Sequence, residues 1–177
     1  MTTTRLFIFL LAITTIIGCS SPASKFEEGP SLDFKISSSA SLEDYEAHML
    51  ARQVQLEELN KKMDEEMQEA LNSGADREEL KKKLLEVFGK AVRRSDDIYQ
   101  QTLKTEVPEE AKKLHEGYVT TYWALKENLA ALKLMAEEKV DESEGEKRQA
   151  LLNEKATEGQ KIVREESERL GLDKLKQ

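Results

Sequence analysis

The chain has 177 residues, enough for one domain, with 35% charged and 38% hydrophobic residues and a formal net charge of −8. An acidic balance without clustered Lys and Arg argues against nucleic acid and against electrostatic attachment to anionic lipid. A single cysteine, Cys19, excludes an internal disulfide, and two histidines make the chain poor in metal ligands.

Residues 1–18 have the three parts of an export signal: a minimal basic start carrying Arg5, an apolar run from Leu6 to Ile17, and small Gly18 before Cys19. The run is about a dozen residues, short of the roughly 20 that cross a bilayer, so its expected fate is removal. Its end, Ile16-Ile17-Gly18-Cys19, resembles the lipobox of bacterial lipoproteins. The resemblance covers residues 1 to about 20 and assigns a class of processing, not an activity. It implies a diacylglyceryl group on the Cys19 sulfur, cleavage before Cys19, and acylation of the new amine in many Gram-negative hosts. Two or three acyl chains such as palmitate anchor durably where one is marginal. Ser20 stands where lipoproteins retained in the inner membrane often carry Asp, which favours the periplasmic face of the outer membrane in such a host. The processed chain keeps 26 basic against 35 acidic side chains, because only Arg5 is lost with the signal.

From 19 to 40 the composition turns to Ser, Pro, Gly and isolated charges, which predicts a disordered tether. Phe26, Phe34 and Ile36 interrupt it. A short strip docked on the body is the alternative for these three.

Residues 41–177 read as a helical bundle. Ser41 with Asp44 forms a capping box, and Leu42, Tyr45, Met49, Leu56, Leu59, Met63 and Ala70 make one stripe of a helix over about 42–72. Asn72-Ser73-Gly74 stops it. Asp76 with Glu79 caps a second helix over about 76–104, whose heptad seam runs Leu80, Leu84, Val87, Ala91, Arg94, Ile98 and Gln101. Pro108 opens a third, about 108–140, with Ala111, Leu114, Tyr118, Thr121, Leu125, Leu132 and Met135 on the richest face, the expected centre. A break near Asp141, with a capping box from Ser143 to Glu146, starts a fourth over about 144–170; one unbroken helix to about 168 is the alternative. The last stripe, Leu152, Ala156, Gly159, Val163, Glu166 and Leu170, is weak, and Gly159 costs about 1 kcal/mol relative to alanine. The expected fold is all-α: an antiparallel up-and-down bundle of three long helices and a looser fourth, with coiled-coil-like packing.

Chemistry is hard to find in these residues. Neither His48 nor His115 has a Glu three positions before it, so di-metal bundle motifs are absent, and His115 reads as a rim or surface residue. The carboxylate runs are solvated faces whose many i,i+4 Lys partners explain them. Tyr118, Tyr122 and Trp123 form the one aromatic cluster of the body: core by default, or an exposed anchor for a partner. Asn128 on the apolar stripe reads as a register-setting polar residue. The sequence therefore predicts no enzyme, cofactor or metal site. It predicts a lipid-anchored envelope protein whose membrane contact is the acylated Cys19 and whose bundle binds a protein partner or a second copy. A carrier with a ligand groove lined by Tyr118, Thr121, Asn128 and methionines is the competing reading.

Overall fold

The computed structural model describes residues 29–175. The export signal, Cys19 and Phe26 lie outside the described residues. Four helices account for the body: α1 (Leu42–Asn72), α2 (Arg77–Leu103), α3 (Lys112–Ala136) and α4 (Glu142–Leu170). They pack as an all-α bundle in which each helix lies against the next in sequence, and α3 with α4 makes the largest contact.

Local chemistry explains the boundaries. The Ser41 hydroxyl accepts the Asp44 amide at 3.1 Å, and the Asp76 carboxylate accepts that of Glu79 at 3.0 Å, as the two capping boxes predict. Gly74 turns the chain between α1 and α2 at φ +67°. Pro108 sits one turn earlier than expected for a first helical residue. It is extended (ψ 143°) and is followed by a 3-10 turn, Glu109–Ala111, before α3 begins. The break between α3 and α4 is real, and Glu138 takes the left-handed conformation there (φ 58°). Its capping residue is Asp141, which accepts the Glu144 amide at 2.9 Å, and not Ser143. Gly171 ends α4 at φ +71°, and the chain folds back so that Leu175, fully buried, meets α1.

Two expectations about packing are corrected. The fourth helix is not loose: its backbone comes against that of α3 at a pair of glycines. A methyl on Gly159 would lie 2.5 Å from Thr121 Oγ1 and 2.8 Å from the Gly117 carbonyl oxygen. Gly159 is therefore a close crossing and not a weak point, and large side chains are unnecessary where backbones meet. The second correction concerns α2. Leu84, Val87, Ala91 and Ile98 of its expected seam are buried, but Arg94 and Gln101, placed there by a strict heptad, are exposed, and a buried line also runs Leu84, Phe88, Ala91, Ser95, Tyr99 and Thr102. Those steps of four and three average 3.6, the period of a straight helix, so the seam drifts off a 3.5-residue repeat. Ser95 and Thr102 tolerate burial by donating to the Val92 and Ile98 carbonyls.

The described part of the expected tether, residues 29–40, is laid along the bundle as a strap. Ile36 forms a parallel bridge with Val107, in which Ser37 donates to the Val107 carbonyl and Val107 to that of Lys35, both at 2.9 Å. The Ser31 amide donates to the Tyr99 hydroxyl at 3.0 Å, and exposed Lys35 pairs with Glu106. Phe34 and Ile36 are half-buried against the core. Two apolar side chains spaced i,i+2 on extended backbone suffice to dock a segment whose composition is otherwise that of a linker.

Candidate functional site

Helix α3 is buried nearly all round, the pattern of a central helix. On it Tyr118 and Tyr122 stack at 5.7 Å between ring centroids, and both are 3% exposed. Trp123 is 1% exposed. The three aromatics are thus core, the default reading, and not the alternative partner-binding anchor, because α1 and α4 close over the two faces on which they point. Gln53 of α1 donates to the Tyr118 hydroxyl at 3.1 Å. Burial pushes the Tyr118 and Tyr122 hydroxyls up, out of any useful acid–base range.

Over the Trp123 ring lies the Arg148 guanidinium of α4, 5.9 Å from its centroid. Arg148 also reaches the Glu127 carboxylate at 3.5 Å, and Lys126 reaches it at 3.3 Å. Glu127 is only 7% exposed. This charged patch seals the aromatic core from one side. Neither Glu127 nor Arg148 was distinguishable in sequence from the many solvated charges around it. Asn128 is where register predicts: its amide donates to Asn153 of α4 at 3.1 Å, while its own carbonyl oxygen has no hydrogen-bond partner.

His115 departs most from expectation. It is not at the rim but fully buried, because α3 at this level is covered by three elements at once. Phe34 of the strap meets its ring edge-on at 4.6 Å, and Tyr45 of α1 does so at 5.8 Å. The Tyr45 hydroxyl and His115 Nδ1 share a hydrogen bond of 3.2 Å. Nε2 has no partner of good geometry, although the Thr102 backbone of α2 lies close enough to favour its proton. Burial outweighs that help and lowers the imidazole to about 4. Burial likewise pushes Tyr45 well up, so both groups are neutral at pH 7. A neutral, sealed pair has no route to a substrate and is unsuited to proton transfer with one. Exposed His48 lies elsewhere on α1.

Clefts among the described residues include two with mixed polar linings. One, of about 520 Å³, lies beside the start of α3 and mixes Lys112, Lys113 and Arg169 with Glu109, Glu110, Glu116 and Glu166. Three cations interleaved with four carboxylates give no strong preference for an anion or a cation. Lys113, and next Arg169, hold the Glu166 carboxyl below the usual range. The other, of about 280 Å³, lies where the strap begins, between Gly29-Pro30, Thr120 and Trp123 of α3 and Lys155, Glu158 and Ile162 of α4. Among the described residues no group of His, Cys, Asp or Glu is arranged to hold a metal ion, and no helix is long and apolar enough to cross a membrane. No family model, no curated protein and no solved structure matches this chain.

Proposed function

We propose that the protein is a non-enzymatic lipoprotein of the bacterial cell envelope, anchored by acyl chains on Cys19, whose helical bundle engages a protein partner or a second copy. The observation that carries this reading is the lipobox Ile16-Ile17-Gly18-Cys19, followed by a bundle in which His115, Tyr118 and Tyr122 are buried and line neither described cleft, Trp123 alone bordering the smaller one. The docked strap adds a geometric constraint. Only ten residues, 19–28, separate the anchor from the bundle, and fully extended they span about 35 Å at most. A body about 45 Å long is thereby held close to the membrane, where outer-membrane placement follows from Ser20 in a Gram-negative host. With its aromatics in the core, the bundle meets a partner through charged helix faces, not an aromatic anchor. The carrier reading draws less support from burial, since Tyr118 is 3% exposed and the two clefts described above are lined by neither Tyr118 nor Asn128.

Metabolic labelling with an alkyne analogue of palmitate tests the anchor, and in-cell crosslinking with mass spectrometry tests the partner. Label on the wild type that is lost in Cys19→Ala, with a reproducible crosslinked protein seen only when lipidated, is the expected result. Equal labelling of the two forms would refute the anchor. Thermal shifts with small molecules and no crosslinked protein would move the bundle to the carrier class.

A further inference from the structure

We infer that residues 29–40 form a proton-released strap: neutral His115 is sealed under Phe34, and charging His115 frees the strap before it disturbs the helices. This switch does not depend on the anchor or the partner.

The argument begins with what covers the imidazole. From α1 it faces Tyr45, itself 1% exposed and set in a long helix; from α2 it faces the Thr102 backbone, with Thr102 fully buried; from the strap it faces Phe34. Tyr45 is the only titratable group on that list and it is neutral. On the strap, Asp33 and Lys35 flank Phe34 and are exposed, and Lys35 pairs with Glu106 of the α2–α3 connection at the surface. Nothing acidic is therefore in place to stabilise an imidazolium, which must reach water instead.

Of the three covers the strap is the easiest to remove. Two backbone hydrogen bonds around Val107, one bond to Tyr99, an exposed ion pair and two half-buried side chains hold it. Withdrawing α1 or α2 would open the main core, to which both Tyr45 and Tyr99 belong. Local opening follows the element with fewest buried contacts.

The sign of the pH effect follows from linkage. With the strap on, the imidazole titrates at about 4; in water an imidazole titrates near 6.5. The released state therefore binds the proton more readily. Docking is at full strength above pH 6.5 and weakens about tenfold per unit as pH falls toward 4, which gives roughly a twentyfold loss between pH 7 and pH 5.

Hydrogen–deuterium exchange of the full chain between pH 7 and pH 5, corrected for intrinsic exchange, tests this. Protection of peptides spanning 30–40 should fall roughly twentyfold while α1, α2 and α3 keep theirs, and His115→Gln should remove the pH dependence. His48→Gln should leave it intact. Equal strap protection at both pH values, persistence of the effect in His115→Gln, or loss of α1 protection in step with the strap would each overturn the inference. Should His115→Gln fail to fold, Phe34→Ala provides the second arm. Its His115, followed by NMR, should titrate closer to 6.5 than in the wild type, and an unmoved titration refutes the coupling.

Discussion

The α3–α4 seam and the α1–α2 hairpin solve the same packing problem in opposite ways. In the seam, Gly117 and Gly159 let two backbones meet, so that Gly159 has no room for a methyl. The helices of the hairpin instead bury long side chains, Met49, Leu59 and Met63 on α1 and Leu84, Val87 and Phe88 on α2. Side-chain contact can be rearranged, because methionine and leucine have alternative rotamers; backbone contact cannot. The difference predicts that an added methyl has opposite signs in the two regions, and five variants sharpen or break that contrast.

The largest effect is expected from Met49→Ala in the hairpin, which empties a fully buried site and should lower unfolding free energy by about 3 kcal/mol in urea titrations, whereas Met49→Leu should cost less than about 1.5 kcal/mol. In the seam, Gly159→Ala should lower stability by about 2 kcal/mol despite the better helix propensity of alanine, because a carbonyl oxygen and a hydroxyl must move. The same substitution on α2, Gly89→Ala, meets only Arg93 Nη1 at 3.7 Å and should raise stability by about 0.5–1 kcal/mol. If both glycine variants shift the thermal midpoint in the same direction, the seam is not governed by close approach. The smallest effect is that of Asn128→Leu. Removing a buried amide whose carbonyl oxygen is unpaired should raise stability by about 0.5 kcal/mol, and a lower midpoint would mean that Asn128 contributes more than register.

That contrast also separates what was legible in the sequence from what was not. Caps at Ser41 and Asp76 and the stop at Gly74 were visible because each is a local arrangement of a few residues. The stripe of α1 was visible because long apolar side chains at regular spacing announce the hairpin kind of packing. The seam was hidden for the converse reason. A glycine at a contact and a glycine that breaks a helix look alike until the partner backbone is placed. His115 was misjudged, and the docked strap was only the alternative reading, on related grounds: three elements meet over that histidine, and only one of them, α2, is placed beside α3 by a short connection. Leu172 and Leu175 escaped notice because a buried turn after Gly171 has no periodicity to detect. The candidate anchor at Tyr118, Tyr122 and Trp123 was correctly singled out as a cluster, but its exposure depended on where α4 lies.

The path of the strap has a mechanical meaning. The chain enters beside Thr120 and Trp123, on the flank of the bundle, and its holds follow in order: Ser31 on Tyr99, Phe34 on His115, Ile36 on Val107. Tension from the N-terminal side loads these holds one after another, as in peeling tape, instead of sharing the load among them as in shear. Freeing the twelve residues would add up to about 40 Å of slack before the pull reached Ser41. With Cys19 anchored as proposed, the bundle would then feel little of a sudden displacement of that anchor, because the strap yields first and can rebind when the tension falls.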